Sequence, residues 1–369
     1  MKKIPICEPQ MYGEELKFVT DCIKTNWISS KGKYIERFEQ EFANFCGVKH
    51  GIAVFNGTVA IHLALVSAGI MPGDEVIVPA FTTVCSVNPI FYCNAKPVLV
   101  DADPNTWNID PKKIEEKISA KTKAILPVHL YGHPCDMDPI REIAERHNLL
   151  VIEDAAEAHG AEYKGRKAGS LGDVATFSFY ANKIITTGEG GMIVTDDDQI
   201  ADAARALRDQ AYGKKNRFLH EKIGFNYRMT NIQAAIGCAQ MAHATESIKA
   251  RRKNAALYSS LLKDVKGVTL PPEASWAKNV YWMYTILLEK SFGADRDMVM
   301  KLLDENGIET RPVFYPMHNQ PAYGDYFRGE EYPVAEELSK KGINLPSANT
   351  LTKNEIERVV DTLVKIGEK

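Results

Sequence analysis

Short apolar runs punctuate the first two-thirds of the chain, at 51–55, 75–79, 97–101, 124–129, 149–154, 174–180 and 191–195. They are rich in Val and Ile, too short for helices and bounded by polar or glycine-containing turns, which predicts strands. Between several of them apolar residues return at helical spacing, as in Val59–Gly69 and Pro139–His147. Strands alternating with helices predict an α/β domain whose mostly parallel sheet is covered on both faces. A long helical stretch, Asn231 to Leu262, follows. The tail changes character, with a strand at Tyr281–Leu288 and helices at Arg296–Asn306 and Lys353–Ile366. That change predicts a large domain with an N-terminal segment over 1–245 and a small C-terminal α/β domain over 246–369.

Composition narrows the function classes. The chain has 369 residues, is 45% hydrophobic and 25% charged, and carries a formal net charge of −3. Such a balance supplies ample core and no electrostatic attraction to nucleic acid or anionic membrane. No apolar run is long enough for a membrane span, and Glu8 and Pro9 interrupt the start before a signal-peptide core develops. The seven cysteines are scattered, odd in number and never spaced C-x-x-C, as reduced thiols of a cytoplasmic protein would be. No His/Asp/Glu cluster has metal-ligand spacing.

The candidate chemistry lies at strand ends. Lys183 follows the run 174–180 and precedes a turn containing Gly188, Gly190 and Gly191. Alone, such a lysine is more often a solvated charge, although its amine can also condense with an aldehyde cofactor. Asp154 ends the apolar run 149–154, at the sheet edge where α/β proteins bind ligands. A carboxylate there can pair with a protonated pyridine nitrogen, or it can cap a helix starting at Ala155. Together, the two strand ends favour pyridoxal 5'-phosphate (PLP) over the plain structural alternatives. Ala155 and Ala156 are small enough to let a flat ring lie against the backbone. Asn56-Gly57-Thr58 joins a strand to a helix, a place where free backbone N–H groups can hold phosphate; by itself it is more often a plain turn with Thr58 as the cap. Ser178 is a second candidate phosphate ligand, Glu157 a neighbour of the ring hydroxyl, and His159 a brace for the turn. His62, on an apolar helix, is expected to pack. The segment before the long helix, Gly224 to Asn231, predicts a loop with a cap at Thr230 or Asn231.

As a set, these residues resemble the DegT/DnrJ/EryC/StrS family, nucleotide-sugar aminotransferases of PLP fold type I. The likeness runs nearly end to end, through Trp27-Ile28-Ser29-Ser30, Phe55-Asn56-Gly57-Thr58, 72–79, the Asp154 and Lys183 segments, 226–231 and 311–318. The resemblance implies that Lys183 holds the cofactor covalently and later moves the proton during transfer. It implies that Asp154 pairs with the pyridine nitrogen and that Glu157 approaches the ring hydroxyl. Gly57, Thr58 and Ser178 match phosphate ligands, and Asn226 matches one donated by the second subunit of a homodimer. Ser29 matches a residue on the sugar side, and Tyr315 and His318 fall in a tail segment of the sugar and nucleotide region.

The stretches Thr25 to Ser30, His129-Leu130-Tyr131-Gly132, 135–138 and Thr186 to Gly191 are most like members that aminate C4 of GDP-4-keto-6-deoxymannose, giving GDP-perosamine with glutamate as donor. A UDP- or dTDP-linked keto sugar is the alternative. A sugar-dehydratase branch carries histidine at the Lys183 position, and a non-catalytic regulator would not need the intact set; both fit less well. One departure stands out. Relatives place an aromatic that stacks on the ring where this chain has Thr83, so Phe81 or another group covers that face, or the ring is held less tightly.

Overall fold

The computed structural model describes residues 3–213, 216, 218–220 and 222–368. Seven strands form the central sheet: β1 (His50–Val54), β2 (Glu75–Pro79), β3 (Lys96–Val100), β4 (Thr122–Ile125), β5 (Leu150–Asp154), β6 (Val174–Ser178) and β7 (Gly191–Thr195). Their order across the sheet is β1-β7-β6-β5-β4-β2-β3. The run from β3 to β6 is parallel, while β7 lies antiparallel to both β6 and β1. Strands covered on both faces need apolar residues at successive positions, which is why they read as unbroken runs. Pairing of Asp154 with Thr176 brings the C-terminal ends of β5 and β6 side by side. That edge carries the site.

Helices cover the sheet: α1 (Glu14–Lys24), α2 (Lys33–Cys46), α3 (Gly57–Ser67), α4 (Val84–Tyr92), α5 (Met137–His147) and α6 (Asp198–Arg208). In α2 the buried residues Tyr34, Ile35, Phe38, Phe42 and Cys46 recur at helical spacing on one face. Phe42 meets Phe177 and Phe179 edge-on, with ring centroids 4.8 and 5.0 Å apart. Aromatic pairs in this arrangement add to simple burial. Helix α3 is buried almost all round, from Ala60 to Leu65, and therefore shows no polar stripe.

The stretch expected as one helix is two, α7 (Asn231–Ala242) and α8 (Ala244–Leu262). The backbone breaks at His243, whose ring stacks on Tyr12 at 3.9 Å and reaches Glu14 and Glu246, each at 3.2 Å. Helix α7 packs on α1 and α2, whereas α8 departs into a second core. Thr230 caps α7 in a reciprocal box with Gln233.

Helices α9 (Arg296–Glu305), α10 (Pro333–Lys341) and α11 (Lys353–Gly367) follow, and the second core joins α8, α9, α11 and a four-stranded sheet whose longest strand is Tyr284–Leu288. Ile4 belongs to it as well, through a backbone hydrogen bond to Gly307 at 2.8 Å. The segment carrying Val313, Met317, Tyr323 and Tyr332 returns to the first core. Among the described residues, no helix is long and apolar enough to cross a membrane.

Candidate active site

A cavity of about 400 Å³ opens where β5, β6 and the N-terminus of α3 converge, lined by Gly57, Thr58, Asp154, Glu157, Ser178 and Lys183 among others. Clefts of about 950 and 840 Å³ lie elsewhere. Neither contains a buried lysine facing buried carboxylates, so chemistry rather than size locates the site.

Lys183 Nζ sits 3.9 Å from Glu157 Oε1 and 3.6 Å from the centroid of the Trp282 ring. Burial lowers the lysine pKa from its ordinary value, and the charges of Glu157 and Asp154 counter this in part. A lowered pKa makes the neutral, nucleophilic amine more accessible. Burial also raises Glu157, to about 7, against the opposing pull of Lys183 and the Tyr131 N–H. That N–H donates to Glu157 Oε2 at 2.7 Å. Burial likewise raises Asp154, opposed first by hydrogen bonding to Ser86 and to the Ala156 N–H.

Asp154 does not cap a helix: the chain after it turns, and its Oδ1 accepts the Ala156 N–H at 3.1 Å. Its neighbour Glu153 points the other way, accepting from Gly169, Leu171 and Gly172 N–H groups and pairing with His129 at 2.9 Å. Adjacent acids at the end of one strand thus serve opposite faces.

At the head of α3, Asn56 is the cap and accepts the Val59 N–H at 3.0 Å. Gly57 and Thr58 occupy the first helical positions, where no preceding turn supplies an acceptor for their N–H groups. A Cβ at Gly57 would stand 2.8 Å from Ser178 Cβ, so glycine is what allows α3 to close on the end of β6. Two N–H groups and a serine hydroxyl form a setting suited to phosphate.

Ser29, Asn226, Tyr315 and His318 lie apart from this cavity's lining. Ser29 is exposed, and its carbonyl accepts the Asn231 N–H at 2.6 Å. The Asn226 side chain accepts from Arg228 at 3.1 and 2.6 Å and faces outward. Tyr315 is exposed, while His318, half-buried, packs against Tyr332 and bonds Glu336 at 2.9 Å. Thr83 lines the cavity and caps α4. Phe81 does not line it; it is buried in the core, and the lining rings are Tyr180, Trp282 and Phe314. His159 is buried among Phe42, Phe177 and Phe179, accepts the Ile185 N–H at 3.2 Å, and has its pKa pushed down to about 3 by burial. His62 packs against Tyr92, Phe225 and Tyr227.

Residues 9–364 match the DegT/DnrJ/EryC1/StrS aminotransferase family. The chain belongs to this family. Among curated relatives, the GDP-perosamine synthase of Caulobacter vibrioides is 52% identical over 367 residues, 99% of each chain. The GDP-perosamine synthase of Escherichia coli O157:H7 is 45% identical, over 98% of each chain. Among solved structures, S. venezuelae DesV, in complex with a ketimine intermediate, aligns over 100% of both chains with a TM-score of 0.94 and 35% identity.

In this family member several cavity residues come from segments that sequence reasoning did not single out as site residues. Trp282 donates Nε1–H to the carbonyl of Asn182, the residue before Lys183, at 2.9 Å. Its own N–H bonds the Tyr131 carbonyl at 3.0 Å. Gly132 lets these segments meet, because a Cβ there would stand 2.8 Å from Val280. Phe314 stacks on Tyr131 at 5.3 Å. Tyr131 and Phe314 fall within the segments 129–132 and 311–318 and were in reach of the sequence; Trp282 had only its place at the head of a strand to mark it.

Proposed function

We propose that the protein is a PLP-dependent aminotransferase that moves an amino group from glutamate to C4 of a nucleotide-linked 4-keto-6-deoxy sugar. The sugar nucleotide of choice is GDP-4-keto-6-deoxymannose, and the product is GDP-perosamine. The observation that carries the reaction class is one buried lysine facing two buried carboxylates beside a helix N-terminus. The names of the relatives at 52% and 45% identity support the substrate.

PLP, when bound, supplies an aldehyde for covalent attachment and a pyridinium ring that takes up electrons during transfer. The donor set fits it: a phosphate setting at Gly57, Thr58 and Ser178, a carboxylate for the ring nitrogen at Asp154, and an amine at Lys183, all lining one cavity. Lys183 would hold the aldehyde through its amine, and the freed amine would carry the proton that the transfer requires. Asp154 would keep the ring nitrogen protonated. Glu157, whose other oxygen accepts the Tyr131 N–H, would serve the ring hydroxyl. Ala156, a small residue of the cavity lining, would leave room for the flat ring. Trp282 shields the Lys183 amine from water.

The outward-facing Asn226 supports an assembly of two copies, in which Asn226 of the partner subunit reaches the phosphate. Ser29, Tyr315 and His318 are assigned to the sugar nucleotide. Purified protein should absorb in the visible, and glutamate alone should bleach that band while releasing 2-oxoglutarate. A colourless protein that takes up no added PLP contradicts the reading.

A further inference from the structure

We propose that Ser86, with Thr82 behind it, is a positioning residue that sets the charge of Asp154 and, through it, the charge of the cofactor ring. The inference rests on the PLP reading above. Ser86 Oγ donates to Asp154 Oδ2 at 2.7 Å, and Thr82 Oγ1 lies 3.0 Å from Ser86 Oγ. Both hydroxyl residues are fully buried. A hydroxyl has one proton. Ser86 gives its proton to Asp154, so its oxygen accepts from Thr82, and the chain runs Thr82 to Ser86 to Asp154 with both protons directed at the carboxylate.

Helix α4 places the pair. Thr83 is its cap, so Thr82 lies just before the helix and Ser86 one turn later, on the side facing the end of β5. The Ser86 hydroxyl is not needed to finish the helix, because Thr83 already receives the Cys85 N–H at 3.4 Å and the Ser86 N–H goes to the Thr83 carbonyl at 3.1 Å. What remains for the hydroxyl is Asp154.

Donors aimed at a carboxylate favour its charged form, whereas burial favours the neutral one. Without Ser86, Asp154 Oδ2 loses its donor and becomes more basic. The proton shared between Asp154 and the ring nitrogen then moves to the carboxylate, the ring loses its positive charge and its uptake of electrons weakens. No proton is gained or lost overall; its position changes.

The test uses holoenzyme reconstituted with PLP labelled with ¹⁵N in the ring. In Ser86→Ala the nitrogen resonance should move toward that of an unprotonated pyridine. Turnover should fall by about tenfold or more, the usual worth of one hydrogen bond to a charged group, with KM for glutamate little changed. Thr82→Val has the same shape and leaves Ser86 in place, so it should shift both readouts in the same direction by less. Wild-type resonance and kcat in Ser86→Ala overturn the inference. Should Ser86→Ala fail to fold, unchanged readouts in Thr82→Val overturn it instead. Wild-type protein that binds no PLP overturns the function proposed above and this inference with it, whereas labelled wild type with an unaffected Ser86→Ala overturns this inference alone.

Discussion

Lys183 is held between the Glu157 carboxylate and the face of Trp282, in a place where burial works against its charge. Position and depressed basicity both suit covalent attachment of an aldehyde. Borohydride reduction of the coloured protein should fix the cofactor on Lys183, found by peptide mass mapping. Lys183→Ala should lose turnover while keeping its fold; a label on another lysine contradicts the assignment. Asp154→Asn should lower turnover by ~10²-fold or more, because the amide cannot hold a proton on the ring nitrogen. Near-normal kcat in cofactor-loaded Asp154→Asn would reduce Asp154 to a turn-forming residue.

Strand ends β5 and β6 were legible because strands buried on both faces are uninterrupted apolar runs, and the polar residue ending each run stands out. The N-terminus of α3 was legible too, although Asn56 rather than Thr58 is its cap. The break at His243 was not, because apolar residues continue across it and two of the histidine's partners, Tyr12 and Glu14, lie more than two hundred residues earlier. Trp282 was missed as a site residue for the same kind of reason: its role depends on contacts with Asn182 and Tyr131, far away in sequence.

His159, in the turn between β5 and β6, makes a prediction about this element. Its folded pKa of about 3 lies below the ordinary 6.5, so the unfolded chain binds a proton that the folded chain refuses. The resulting stability is fully present above pH 6.5 and is lost as pH falls toward 3, by up to about 1.4 kcal/mol per pH unit. Urea unfolding between pH 7 and 5 should show His159→Gln losing less stability than wild type over that interval. Equal losses contradict a buried neutral histidine.

At the scale of the whole molecule, the site is built on the first apolar core, in which Trp282 is buried and against which Phe314 packs. That core supplies β5, β6 and α3, and Trp282 and Phe314 enter from the chain's last third. The phosphate setting of one chain has Gly57, Thr58 and Ser178 but not Asn226, which faces outward. Two-copy assembly is therefore expected by sedimentation. Mixing inactive Lys183→Ala with Asn226→Ala chains should shift activity, because each mixed dimer concentrates both defects in one site and frees the other. Activity that tracks the simple sum of the two chains contradicts a shared site.

Amination of a nucleotide-linked 4-keto sugar is measured with a panel of keto-sugar substrates. Enzyme and glutamate are incubated with GDP-, UDP- and dTDP-linked 4-keto-6-deoxyhexoses, 2-oxoglutarate is followed, and the new amine is located by NMR. One 2-oxoglutarate should be released for each GDP-sugar consumed, with the amine on C4. Turnover of only UDP- or dTDP-sugars would contradict the GDP assignment, an amine on C3 would contradict the position, and no 2-oxoglutarate from any keto sugar would contradict sugar amination altogether.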